Sequence, residues 1–140
     1  MKLSRPGLLL LFGSACVVGA CSHIEVSMRP WDSAASCPLV PYGHNSWLDI
    51  VAVSPAGDTL RHARVHLTGT LWQRGSVRPA APIDSTSATG LFAIGPLAVG
   101  EYHLTVEAPN RHPATQKLML CRDYSLVLRA VLVRHAAPAS

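Results

Sequence analysis

The sequence predicts an all-β chain, a single antiparallel β-sandwich of seven strands, on three observations. Apolar residues recur at every second position from Trp47 onward, the period of strands with one buried face. Gly, Pro, Asp and Asn punctuate the alternating runs at turn-like intervals. Beyond residue 20 no segment carries a helical stripe of apolar side chains. At 140 residues, 49% apolar and 14% charged, the chain is one domain long and has side chains enough for a core.

The elements follow in chain order. Lys2 and Arg5 precede an apolar run, Leu8 to Phe12, continued by Ala15, Val17 and Val18, which reads as a secretion signal over residues 1–20. It is too short for a comfortable membrane span, which takes about 20 mainly apolar residues. The run ends in Val18-Gly19-Ala20-Cys21. This ending resembles the lipobox of bacterial lipoproteins, and the resemblance implies a lipid joined to the Cys21 thiol and cleavage just before it. The alternative is an ordinary signal cleaved after Ala20, with Cys21 free or disulfide-bonded.

Cys16 leaves with the signal, and Cys37 and Cys121 then remain. In an oxidising compartment they can pair, closing a loop credited with about 4 to 5 kcal/mol. Two buried free thiols are the alternative. Residues 21–45 hold Pro30, Pro38 and Pro41 without a sustained period and read as a tether, on whose distal half Trp31 and Tyr42 can pack against the domain. Removing Lys2 and Arg5 leaves ten basic residues against eight acidic ones. The arginines are scattered, so no basic stripe supports a nucleic-acid partner.

The sandwich is expected over residues 46–134. Val51 and Val53 lead into the turn Pro55-Ala56-Gly57-Asp58, and Ala63, Val65 and Leu67 alternate with Arg64, His66 and Thr68. Arg74 to Pro82 reads as an exposed loop, followed by a polar strand around Ile83 to Ser87. Phe92 and Ile94 belong to the next strand, with a turn over Gly95 to Gly100, where Gly90, Gly95 and Gly100 are expected to need unusual backbone angles. Tyr102, Leu104 and Val106 alternate with His103, Thr105 and Glu107; two strands follow, about Ala114 to Leu120 and Tyr124 to Val133. Residues 135–140 read as a disordered tail.

The blocks "VAVSPAGDTLRHARVHLTG" and "TSATGLFAIGPLAVGEYHLTVEAPN" are similar to the carboxypeptidase regulatory-like domain, a transthyretin-like (prealbumin-like) sandwich found on exported bacterial proteins. Ser87 stands where that pattern often has Asp, and Asn110-Arg111 where it often has Gly and an aromatic. The resemblance implies a non-catalytic module that spaces or recognises proteins or glycans.

The residues agree with that implication. The nearest acidic neighbours in sequence are Glu101 and Glu107, and neither a Gly-x-Ser-x-Gly elbow nor a phosphate-cradling glycine loop is present. His62 and His66 copy the spacing of a zinc-protease helix, yet on a strand they stand about 13 Å apart, too far for one zinc with nitrogens at about 2.1 Å. No metal and no cofactor is expected; His66 with His103 is the pairing that neighbouring strands could offer, against solvated surface histidines. Trp72 takes the outward parity of its strand and is a candidate platform for a sugar ring or a partner side chain, against a rim residue.

In the last strand Leu126, Leu128, Ala130 and Leu132 fill one face, and Val127, Val131 and Val133 flank Arg129 on the other. A strand apolar on both sides is expected to have its outer face covered by the tether or another protein. The function expected is a lipid-anchored envelope module for protein interaction or structural support, with a carbohydrate-binding module as the alternative. Ser22 after Cys21 carries no Asp-type retention signal, so the outer membrane of a two-membrane envelope is the expected destination.

Overall fold

The computed structural model describes residues 21–28, 46–73, 76–120 and 125–135. The signal, Cys16, Cys37, Cys121, residues 29–45 with Trp31 and Tyr42, and residues 136–140 lie outside them. Nine strands are formed: β1 (His23–Met28), β2 (Ser46–Val53), β3 (Ala63–Gln73), β4 (Ser76–Pro79), β5 (Ile83–Ser87), β6 (Leu91–Leu97), β7 (Gly100–Glu107), β8 (Ala114–Leu120) and β9 (Ser125–Val131). No helix occurs among the described residues.

The strands build two sheets. One has the order β1-β9-β2-β6; the other runs β4-β3-β7-β8, and the long strand β3 pairs with β5 along the first part of the edge that β4 covers at its end. All pairings are antiparallel except β2 with β9, which are parallel. The inward parity of each strand supplies the core: Leu48 and Ile50 from β2, Val65 and Leu67 from β3, Leu104 and Val106 from β7, Leu128 from β9, with Leu120 and Leu132 just as buried. Each large aliphatic side chain hidden in this way contributes about 1.5 to 3 kcal/mol.

The all-β sandwich is as the sequence predicts, but nine strands stand where seven are expected and β2 and β9 run parallel; four further details differ. Residues 23–28, read as tether, form the edge strand β1, with Ile24 buried against the core. The sandwich therefore begins at residue 23, and only 29–45 remain between two of its strands. Residues 76–79, read as loop, form β4. The turn placed over Gly95 to Gly100 shrinks to Ala98 and Val99, because β6 continues through Leu97 and β7 starts at Gly100. His135, read as the first residue of a free tail, is held: its N–H donates to the Asn110 carbonyl at 3.1 Å.

Gly90 does need an unusual backbone angle, with φ of 80°, whereas Gly95 and Gly100 do not take positive φ. They are glycines for want of room. A Cβ at Gly100 would stand 2.3 Å from the Thr70 carbonyl oxygen on the neighbouring strand.

Ser87 and Asn110 are each accommodated locally. The Ser87 Oγ accepts the N–H groups of Thr89 at 3.3 Å and Gly90 at 3.1 Å, the work of a turn-forming carboxylate. Asn110 sits at φ of 61°, a left-handed angle that Asn tolerates better than other non-glycine residues. The predicted turn after β2 is closed by Ser54, whose carbonyl accepts the Gly57 N–H at 2.8 Å and whose Oγ accepts the Asp58 N–H at 3.2 Å.

Candidate functional site

The four-stranded sheet turns one face to the core and the other outward, and its outward face is unusually apolar. In β2, Leu48, Ile50 and Ala52 point inward, so Trp47, Asp49 and Val51 point outward. Register then sets their neighbours. Ala93 of β6 lies opposite Asp49 and Leu91 opposite Val51, while Val127 and Arg129 of β9 stand beside Asp49 and Val51 on the other side. Glu25 of β1 is opposite Arg129 and reaches it at 3.9 Å.

Leu91 is 60% exposed, Trp47 44% and Val127 39%. Between them runs a groove of about 390 Å³ lined by Asp49, Ile50, Val51, Leu91, Phe92, Ala93 and Val127. Trp47 lies on the same outward face, two residues before Asp49, with its ring on Gly95: a Cβ there would come within 2.5 Å of Trp47 Cδ2. Asp49 is half-buried on this floor and makes no ion pair among the described residues. The arrangement suits an apolar surface that carries one cation or hydrogen-bond donor.

The outer face of the other sheet is polar. Arg64, His66, Thr68, Thr70 and Trp72 project from β3, and Glu101, His103, Thr105 and Glu107 from β7. Asp84 of β5 lies opposite His66 and holds its Nδ1 at 2.8 Å, while Arg64 Nη2 donates to the same carboxylate oxygen at 3.1 Å. The hydrogen bond from His66, with Arg64 adding to it, holds the Asp84 carboxyl below the usual aspartate range. Lys117 pairs with Glu101 at 2.8 Å. A second cavity, of about 500 Å³, is lined by His103, Thr105, Thr115, Gln116 and Lys117 together with Leu104.

The residues singled out in the sequence separate as follows. His66 faces Thr105 and His103 faces Thr68, so the two rings are diagonal neighbours rather than a facing pair; His66 is engaged by Asp84 instead. His62 sits in the turn before β3 at φ of 57°, away from the strand face that carries His66. Among the described residues no three His, Cys, Asp or Glu side chains converge on one point.

Trp72 is half-buried on the outer face of β3, opposite Val77 of β4. Trp47 is on the outer face of the other sheet, so the two indoles lie on opposite sides of the sandwich and form no shared sugar platform. Cys21 is disulfide-bonded, to a cysteine outside the described residues. A sulfur in a disulfide cannot also carry a thioether, so this state is the alternative to lipidation.

The sequence located Val127 by its two-faced strand, and nothing among the described residues covers it. The rest of the groove was missed. "SWLDIVAV" alternates cleanly, but the assignment of Val51 to the outer face depends on parity with Leu48 and Ile50, and the proximity of Leu91 depends on register.

No family model and no curated protein matches the chain. Among solved structures it is similar to hydroxyquinol 1,2-dioxygenase from Pseudomonas putida DLL-E4, at 10% identity and a TM-score of 0.49, over 67% of this chain and 58% of that one. The chain thus spans well under two thirds of that protein's length.

Proposed function

We propose that this protein is an exported, lipid-anchored and non-enzymatic sandwich of the carboxypeptidase regulatory-like kind, which binds another protein of the cell envelope through the outer face of its four-stranded sheet. The observation that carries the reading is the groove between β2, β6 and β9, where Trp47, Leu91 and Val127 stay exposed on a sheet whose other face already forms the core. An antiparallel sheet with one face in water normally presents polar side chains there. Contiguous exposed apolar side chains with a polar rim are the mark of a protein contact. Here the rim is Glu25, Arg129 and Ser125, and Asp49 on the floor selects a partner that offers a basic group or a donor.

The anchor is supported by the apolar run and the Val18-Gly19-Ala20-Cys21 ending, and Ser22 favours the outer membrane as its destination. The sulfur of Cys21 is either acylated or oxidised, and metabolic labelling with an alkyne fatty acid separates the two. Label on the wild type that vanishes in Cys21→Ser supports the anchor; unlabelled protein with an intact disulfide refutes it.

The interaction is tested with a photo-crosslinking residue in place of Leu91, and another in place of Thr86 on the opposite outer face. An adduct with one envelope protein from position 91, absent from position 86 and abolished by Val127→Asp, is expected. Equal adducts from both positions would sink the groove as the binding surface.

A further inference from the structure

One end of the sandwich gathers the start of β1, the turn after β2, the β7–β8 turn and the segment after β9. Ser22 ties the chain start there. Its Oγ donates to the His112 carbonyl at 2.7 Å and accepts the Val133 N–H at 2.9 Å. Arg111 and Arg134 face each other directly across an antiparallel bridge, flanked by the His112 N–H to Val133 carbonyl bond at 2.8 Å. The rings of His112 and His135 meet edge to face at 4.2 Å. Arg61 lies at the same end, in the turn that enters β3, whose Arg64 is opposite Glu107, the last residue of β7.

None of Arg61, Arg111 and Arg134 has a carboxylate partner among the described residues, although Arg111 gives one N–H to the Leu132 carbonyl at 2.8 Å. The acids at this end are Glu107, opposite Arg64 in register although the Arg64 guanidinium bonds Asp84, Asp58 in the turn after β2, and Glu25, which pairs with His23 and Arg129. Like charges on residues directly opposite one another repel, and a bound anion would relieve that repulsion between Arg111 and Arg134.

Cys21 is the residue next to Ser22. One residue spans at most about 3.6 Å of chain, whereas charges act over about 8 Å at physiological salt. A lipid on Cys21 would therefore press this end onto the headgroups with no spacer between.

We infer that the end bearing Arg61, Arg111 and Arg134 is a docking surface for an anionic phospholipid membrane, and that it sets the orientation of the sandwich so that the apolar groove stands sideways to the bilayer. The inference rests on the anchored reading for its biological setting, but its charge argument does not need the lipid. An acyl chain fixes distance without fixing tilt; three guanidiniums on one end fix the tilt.

The test uses the chain from residue 21 with Cys21 kept oxidised, so that acylation plays no part, and vesicles of phosphatidylcholine with one quarter phosphatidylglycerol against pure phosphatidylcholine. Co-sedimentation with the anionic vesicles alone is expected, with affinity falling on the order of five-fold for each of Arg61→Gln and Arg134→Gln. Both side chains are exposed and free of internal hydrogen bonds to side chains, so melting curves of these variants are expected to match the parent. Arg78→Gln on β4 leaves affinity unchanged, and about 1 M salt abolishes it. Equal binding to both vesicles, no binding to the anionic ones, or an equal loss from Arg78→Gln overturns the inference. Failure here leaves the fatty-acid labelling result standing, and failure of the labelling leaves this one standing.

Discussion

Tyr102 joins two residues that the sequence presents as unrelated. Its ring fills the space over Gly69 directly opposite on β3, where a Cβ would stand 2.6 Å from Cδ1, and its hydroxyl donates to the Ala98 carbonyl at 2.7 Å. Burial raises the pKa of that hydroxyl. Tyr102→Phe keeps the ring and loses the bond, so chemical denaturation should show a loss of about 1 kcal/mol; Tyr102→Ala should lose about 3 to 5 kcal/mol through the cavity over Gly69. Asp84 offers a pH test. Its folded pKa is depressed, so the stabilisation it gives is present above the unfolded value of about 3.9 and is lost as pH falls through the lower folded value. The pair is exposed and water-screened, so the effect belongs to titration rather than to stability. NMR should place the Asp84 midpoint below about 3.9 in the wild type and return it toward that value in His66→Ala; an unmoved midpoint would remove His66 as the cause.

At the scale of elements, β1 is the informative case. "HIEVSM" alternates Ile24, Val26 and Met28 with His23, Glu25 and Ser27, so its period was visible, but six residues beside a Pro-rich stretch are too few to distinguish a strand from an extended tether. What makes it a strand is β9, whose edge would otherwise present unpaired N–H and C=O groups. The same holds for β4, four residues that exist because β3 outruns β5. Ser22 fastens β1 at its start through two hydrogen bonds, and Ser22→Ala should cost about 1 to 2 kcal/mol, seen as a lower urea midpoint at unchanged m-value. A change in m would mean instead that β1 had detached and altered the surface exposed on unfolding. The inner strands β3 and β7 were legible because both are long, and their inward residues Val65, Leu67, Leu104 and Val106 keep one parity throughout.

For the whole molecule, the two sheets share one core and display opposite outer faces, one polar and ion-paired, the other apolar around a groove. Val127→Asp alters an exposed position, so it should change stability by no more than about 0.5 kcal/mol while abolishing the crosslink from position 91; a collapse of folding would show this side chain to be core. The sequence by itself determined the sandwich, most of its strands and the inward residues, because the two-residue period of a strand is a local property that each segment carries alone. It also carried the signal-like start and the Cys21 ending, because patterns of that kind are linear strings. Only the tertiary structure decided that Val51, Leu91 and Val127 share a groove with Asp49, and that Ser22, Arg61, Arg111 and Arg134 meet at one end. These residues are distant in sequence, and register together with strand order, not composition, brings them together.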